Sequence, residues 1–314
     1  MDDLTTMPAS FIGCDVGARE IVVFDSRSGA TTSVRNEPEA LRAFAMTLDP
    51  DGLAICEATG GHEAALLDAL VATGRLVHRA DARKVKAFIR SFGTLGKSDA
   101  IDARALARYG RERHRSLLRW QPRDRAREQL QLLVNTRQDM VRQRTACKNR
   151  LKAPGTAPVA ACLKRLLDTL DAEIKGLDDD IKALIRTHAP LATITTVLCS
   201  IQGIGITTAA QLAALMPELG QLGRRQAASL GGLAPHPRQS GASDRYRNTR
   251  GGRPDVKQAL FMAAMSASKH HPSLSAFYKR LIGNGKKPIV ALVAVMRKLI
   301  VIANAKVRDA LAHN

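Results

Sequence analysis

Residues 10–35, "SFIGCDVGAREIVVFDSRSGATTSVR", decide how the first third of the chain folds. "SFIGCDVG" and "EIVVFDS" are short, apolar and rich in β-branched residues, and "ATTSVRN" follows a Ser-Gly turn, so the stretch reads as three consecutive strands. A helical segment, "EPEALRAFAMTL", comes next, and "GLAICEATG" reads as a fourth strand. Residues 62–73 have a helical pattern, "RLVHRA" reads as a fifth strand, and helices follow from about Asp81 to Arg113.

This β-β-β-α-β-α-β-α order predicts a mixed α/β domain, a sheet covered by helices. It is also the element order of a ribonuclease-H-like fold. From Pro122 to about His188 the pattern changes to long amphipathic runs, "REQLQLLVNTRQDMVRQRTACKNRL" and "CLKRLLDTLDAEIKGLDDDIKALI", separated by "APGTAPVA". They predict two long helices, either an antiparallel hairpin or an oligomerising coil. Residues 190–314 read as helical with glycine-rich joints. The boundaries expected are 8–115 for the α/β domain, 116–190 for a coiled-coil connector and 191–314 for a mostly α-helical domain.

Bulk properties narrow the function. The chain has 314 residues, 45% of them hydrophobic, a formal charge of +19 and a pI near 10.4. So strong a positive balance points to a polyanionic partner, most commonly nucleic acid. No uninterrupted apolar run reaches the ~18 residues that span a bilayer. The start, "MDDLTTMPAS", is acidic and unlike a signal peptide. Cys14, Cys56, Cys147, Cys162 and Cys199 are scattered without CxxC spacing, which suits reduced thiols and argues against a zinc site. The expectation is a cytoplasmic, nucleoid-associated bacterial protein with no membrane contact.

Four acids of the first domain fall where one metal site could collect them. Asp15 lies in "GCDVG" on the first strand and Glu57 in "ICEATG" at the end of the fourth, which in this fold is its neighbour. Asp99 and Asp102 in "KSDAIDARALA" are three residues apart, on one face of a helix. Singly, Asp99 could be a helix N-cap and Asp102 a first-turn acid favoured by the dipole. Together, four carboxylates repel unless cations neutralise them, and hard oxygen donors select Mg²⁺ or Mn²⁺. Such ions can polarise a phosphodiester. "GTLGKS" is no P-loop, because the glycine required five residues before Gly96 is Ser91.

The helical domain carries the basic character. "SIQGIGITTAAQLAAL" has the pattern of a helix-hairpin-helix, in which Gly203 and Gly205 allow close approach and the following helix offers free N–H groups to phosphate. Between 221 and 260 stand Arg224, Arg225, Arg238, Arg245, Arg247, Arg250, Arg253 and Lys257, against Asp244 and Asp255. Lys286 and Lys287 precede the apolar "PIVALVAVMRKL". Arginine forks suit phosphate oxygens, and only Tyr246 interleaves the loop with an aromatic ring. Ser240, in the Ser-Gly pair of "APHPRQSGASDRYRNTRGGR", and Ser243 are candidate nucleophiles. A serine needs activation, and His236, His270 and His271 have no acid at a helpful spacing, so a Ser-His-Asp hydrolase is disfavoured.

The set "GCDVG", "CEATG", "KSDAIDARALA", "IQGIGITTA", "GLAPHPRQSG", "RGGR", "QALFMAA" and "NGKKPIVALVAVMRKL" resembles, in order and over nearly the whole chain, the DEDD-type insertion-sequence transposases of the IS-one-ten family, in particular its IS-eleven-eleven branch. The resemblance implies a RuvC-like first domain, a coiled-coil connector and a C-terminal transposase domain. It matches the family's four metal-binding acids to Asp15, Glu57, Asp99 and Asp102, and its nucleophile to Ser240. It further implies cleavage and exchange of donor and target DNA through a phosphoserine intermediate, guided by a structured bridge RNA. The resemblance also implies homo-oligomers, dimers or tetramers, in which the first domain of one subunit completes the serine site of another. Two other readings stay open on the residues alone: a metal-dependent junction nuclease that uses water, and a non-catalytic nucleic-acid-binding protein.

Overall fold

The computed structural model describes residues 7–93, 96, 98–122, 124–235, 239–240, 243–244 and 249–312. The chain divides into two compact units, 1–122 and 123–314.

The first unit is built on the five strands expected: β1 (Phe11–Val16), β2 (Glu20–Asp25), β3 (Thr31–Arg35), β4 (Leu53–Glu57) and β5 (Leu76–Ala80). Their order is β3-β2-β1-β4-β5. β2 and β3 run antiparallel to their neighbours, while β4 and β5 run parallel to β1. The connecting helices are α1 (Pro38–Thr47), α2 (Ala64–Ala72), α3 (Ala82–Arg90) and α4 (Asp99–Arg113). This is a mixed sheet consistent with a ribonuclease-H-like domain.

β1 and β4 are buried on both faces, which is why they read as continuous apolar runs rather than as alternating ones. Ile12, Cys14, Val16, Ala54 and Cys56 pack with Leu41 and Ala45 of α1 and Leu66 and Leu70 of α2. On the other face, Phe11, Leu53 and Ile55 pack with Leu106, Ala107 and Tyr109 of α4. Small residues bring α4 unusually close. A Cβ on Gly13 would collide with the backbone of Ala103 and Ala107, and a Cβ on Gly110 with the Ile55 side chain.

The second unit opens with two long helices, α5 (Arg125–Leu151) and α6 (Ala160–Thr187). They pair antiparallel: Arg137 grips Asp178 with two hydrogen bonds of 2.6 and 3.0 Å, and Arg144 reaches Asp171 at 2.9 Å. The breaker between them holds Gly155 at φ 78°, a conformation glycine adopts readily. At one end of the pair Leu130, Val134, Ile181 and Ile185 join the main core of the unit. At the other end Cys147, Leu167 and Leu170 form a small cluster of their own.

The main core is completed by α7 (Ala189–Cys199), α8 (Ile206–Leu215), α9 (Arg224–Leu230), α10 (Pro254–His270), α11 (Pro272–Gly283) and α12 (Pro288–Ala312). Between α9 and α10 lie two-residue strands, β6 (Gln239–Ser240) and β7 (Ser243–Asp244). Helix α12 is the one long apolar helix among the described residues. By length and composition it could cross a membrane, with a mean hydropathy of 1.9 over 18 residues. Arg297 and Lys298 interrupt the uninterrupted run but not the average. In this fold Ala291, Val295, Met296, Leu299, Ile300, Ala303 and Val307 are buried in the core of the unit, as befits the central helix of a helical domain.

Candidate active site

Register places the first two acids. Cys14 pairs with Cys56 across the parallel β1–β4 ladder, so Asp15 and Glu57 are the next residues on adjacent strands. Side chains in register on parallel strands leave the same face of a sheet. Asp15 shares its face with Gly13, the residue over which α4 is packed, and Glu57 shares its face with Ile55. Both acids are half-buried.

The other two acids open α4. The Ser98 hydroxyl accepts from the Ile101 N–H at 3.3 Å, so Ser98 is the N-cap and Asp99 is the first helical residue. The cap role considered for Asp99 therefore belongs to its neighbour. Asp99 is exposed and Asp102 half-buried. Asp102 precedes Ala103, which lies against Gly13, and it acts electrostatically on Glu57. Burial pushes the Glu57 carboxyl up, Lys86 of α3 pulls it down, and the negative charge of Asp102 pushes it up again. Glu57 and Asp102 thus share one field, with Asp15 in register beside Glu57.

Among the described residues, no three His, Cys, Asp or Glu side chains stand close enough together to hold a metal ion. The donor set nonetheless suits a hard divalent cation. Its members are all carboxylates, and a cation would relieve the desolvation and repulsion that raise the Glu57 pKa. Cys14 and Cys56 belong to the opposite face. Burial pushes both thiols up, Cys56 to about 12, so they remain neutral packing groups.

Sequence reasoning missed the residues that shape the loop after Glu57. Glu63 is buried, and one carboxylate oxygen accepts from the Thr59 N–H at 3.1 Å, the Thr59 hydroxyl at 3.0 Å and the Gly61 N–H at 2.9 Å. Its other oxygen pairs with Arg79 at 2.6 Å. Burial opposes its charge, but these donors hold its pKa down to about 2. Asn36 is a second tie. Its Nδ2 donates to the Gly17 carbonyl at 2.9 Å and the His62 carbonyl at 3.0 Å, joining the turn after Asp15 to the loop after Glu57. An acid just before an apolar helix was the available signal for Glu63; nothing local marked Asn36.

In the second unit, β6 and β7 form an antiparallel ribbon with Ser240 opposite Ser243. The Pro235–Thr249 bridge closes its base. The two candidate nucleophiles are thus cross-strand neighbours in the backbone. Arg238, Arg245 and Arg247 lie outside the described residues, as do Tyr246 and His236. Arg250 is exposed, and the Lys257 ammonium donates to the Thr249 hydroxyl at 3.3 Å.

Arg253 is committed to the fold. It forms a fork on Glu218, at 2.7 and 2.8 Å, and donates to the Leu215 carbonyl at 2.7 Å. Gly203 has φ 106°, and a Cβ there would press on Ala263 and Ala267 of α10. Gly205 is exposed at the N-cap of α8, with open space around it. Lys286 and Lys287 are exposed in the turn between α11 and α12.

Comparison with known proteins fits this arrangement. Residues 12–154 match a transposase family of the IS110 DEDD type, and residues 195–279 match "Transposase IS116/IS110/IS902 family". The "Pilin gene-inverting protein" of Moraxella lacunata is 30% identical over 259 residues, covering 81% of this chain and 80% of the relative. Its namesake in Moraxella bovis aligns to the same extent. An "Insertion element IS110 uncharacterized 43.6 kDa protein" of Streptomyces coelicolor is 31% identical over 166 residues, which is 50% of this chain and 39% of the relative. The order of the matches along the chain, with Asp15, Glu57, Asp99 and Asp102 inside the first and Ser240 inside the second, leads to one assignment: the chain belongs to the IS110 family of transposases.

Proposed function

We propose that the protein cuts and rejoins DNA by phosphoryl transfer to Ser240, assisted by a divalent ion at the carboxylates of the first unit. The observation that carries this reading is the β1–β4 register, which makes Asp15 and Glu57 neighbours on one face, with Asp102 acting on Glu57. At Glu57 burial outweighs the attraction of Lys86, and Asp102 adds to it, so the carboxyl is held above its ordinary range, the environment a bound cation would relieve. Asp15, Glu57, Asp99 and Asp102 would hold Mg²⁺ or Mn²⁺. When bound, such an ion supplies charge that polarises a phosphodiester and stabilises its oxygens during exchange.

The covalent step is a balanced transesterification. The Ser240 oxygen forms an ester to phosphorus, the bond from phosphorus to a deoxyribose oxygen breaks, and that oxygen leaves with the proton equivalent to the one serine lost. A second DNA hydroxyl reverses the step and frees the serine, so neither water nor an external energy source is needed. The name of the Moraxella relatives, gene-inverting proteins, supports breaking and rejoining over plain hydrolysis. In this reading residues 8–115 bind the metal, 116–190 form the coiled-coil connector through which copies associate, and 191–314 carry the serine. The α7–α8 turn would then act as a helix-hairpin-helix, with Gly205 and the start of α8 meeting the DNA backbone. A structured guide RNA is the third component, supported by the +19 charge and the resemblance.

A trapping assay tests the reading. Protein is incubated with Mg²⁺, labelled donor and target DNA and the RNA transcribed from the element's flank, and label surviving denaturation on the protein is measured. A covalent band lost in Ser240→Ala and retained in Ser243→Ala is expected. Cleavage without a band, blocked by Asp15→Ala, would overturn the serine step in favour of a water-using nuclease. DNA turnover unchanged in Asp15→Ala would remove the metal site.

A further inference from the structure

Helix α4 has a second functional flank. Arg104, Arg108 and Arg111 follow one another at i, i+4 and i+7, a spacing that puts them on one face. They line a cavity of about 390 Å³ together with Phe24 of β2, Phe88 of α3 and Phe92 just beyond it. The Arg104 guanidinium lies 5.2 Å from the centre of the Phe24 ring, and that of Arg108 lies 3.6 Å from the centre of the Phe92 ring. Phe92 meets Phe88 edge to face at 4.9 Å and is 40% exposed.

Arg108 also pairs with Glu112 at 2.7 Å, but Arg104 and Arg111 have no ion-pair partner among the described residues. Among the described residues, no carboxylate lines the cavity. Arginine stems covering phenylalanine would explain the packing alone. They do not explain why three cations share one face around an open aromatic cavity with a single acid between them, an arrangement that is repulsive until an anion enters. Flat guanidinium planes and aromatic faces around a concave opening are the groups on which unstacked bases lie, with the spare charge left for phosphate.

We propose that this cavity binds single-stranded DNA, taking one unstacked base against Phe92 and Phe24 and its flanking phosphates on Arg104 and Arg111. Its place on α4 fits that role. Asp102 and the arginines leave opposite flanks of the same helix, on either side of the Ala103–Ala107 stripe that packs on Gly13. A helix with its side chains is about 10 Å across, a span that a short stretch of strand bridges. The site would hold a strand open beside the carboxylates. The inference rests on the DNA-handling part of the function proposed above and not on the serine chemistry.

The test uses the full chain carrying Ser240→Ala, in chelator, so that cleavage plays no part and failure of the serine reading cannot mimic failure of this one. A single-stranded oligonucleotide with 5-iododeoxyuridine is bound, irradiated, and its adducts are mapped by mass spectrometry. Adducts at Phe92 or Phe24 are expected, and they should be lost in Phe92→Leu, which keeps bulk but not the flat ring. The exposed pair Arg104→Gln with Arg111→Gln should lower the slope of log Kd against log salt by about 1.4. Arg42→Gln, on α1 at the other face of the sheet, should leave adducts and slope unchanged. The arginine pair carries the test should Phe92→Leu fail to fold. Adducts confined to residues beyond 122, equal competition by duplex DNA, or displacement of the DNA by RNA of the same sequence would each overturn the proposal.

Discussion

Asp15 and Glu57 stand on the two central strands of a sheet covered on both faces, while Ser240 stands on a two-residue strand in a ribbon closed by a single bridge. The first support is made by burial. Phe11, Ile55 and Leu106 pack on one side and Ile12, Cys56 and Leu70 on the other, so the position of each acid follows from a register that cannot slip without turning a strand inside out. The second support is made by glycines and hydrogen bonds. Gly232 and Gly252, both at positive φ, bring the segment before the ribbon against the segment after it, where the Arg253 N–H donates to the Leu230 carbonyl at 2.8 Å. One region holds charge in a fixed place, and the other is a short backbone ribbon at a glycine joint.

The comparison breaks most readily at the acids. Asp15→Ala and Glu57→Gln should each lower DNA strand transfer by about 10³-fold or more, the scale expected when electrostatic stabilisation of the reacting group is lost. DNA affinity measured without metal should change little. The Glu57 substitution has an opposite effect on stability. Its carboxyl has a raised pKa in the fold, so its charge destabilises the native state above that pKa, and the destabilisation fades as pH falls through it. Glu57→Gln should therefore raise the melting temperature slightly at neutral pH while abolishing chemistry. A variant that melts earlier would show the carboxylate to be structural.

Next in size is the contact on which the acids' face depends. Gly13→Ala forces a methyl into the backbone of α4 and should destabilise the first unit by about 3 kcal/mol, read by denaturant unfolding. Gly205→Ala, with open space around its Cβ, should shift stability by only a few tenths of a kcal/mol. If the two substitutions were equally costly, the close approach of α4 at Gly13 would not be what holds the acids' face.

Glu63 sharpens the first half of the comparison through pH. Its carboxyl titrates at about 2 in the fold against an ordinary value of 4.5, so the stability it contributes is complete above about pH 4.5 and is lost as pH falls toward 2. A shift of that size corresponds to about 3 kcal/mol at most. Glu63→Gln should remove most of this acid-sensitive component and loosen the loop from Thr59 to Gly61. The check is the pH dependence of unfolding for the two proteins between pH 2 and 5. Parallel curves would assign the acid sensitivity to other carboxylates.

How much of this was legible in the sequence follows the same division. The strands around Asp15 and Glu57 were readable because continuous apolar runs with flanking glycines leave few alternatives, and the neighbourhood of the two acids followed from the strand order. Asp102 was readable from its three-residue spacing to Asp99, but the cap was not, since Ser98 and Asp99 are both good caps and only geometry chooses Ser98. Glu63 and Asn36 were not legible, because their partners are loop N–H and carbonyl groups that have no signature in side-chain pattern. The Arg253–Glu218 fork was not legible for a different reason. In a run of arginines every one looks like a phosphate ligand, and Glu218, 35 residues away, is invisible to any local reading.

That last residue gives the smallest and most discriminating test. Arg253 is about as exposed as its partner Glu218, so the fork is partly screened and should be worth about 1 kcal/mol. Arg253→Ala should lower the stability of the second unit by that amount and leave the salt dependence of DNA binding unchanged, because its charge is already neutralised by Glu218. Lys286→Gln with Lys287→Gln should do the reverse. Both lysines are exposed in a turn and contribute nothing to the core, so stability should hold while the slope of log Kd against log salt falls by about 1–2. The two measurements separate a cation that builds the second unit, Arg253, from cations proposed to meet the nucleic acid, Lys286 and Lys287. A flattened salt slope in Arg253→Ala would mean that Glu218 releases the guanidinium to phosphate when DNA binds.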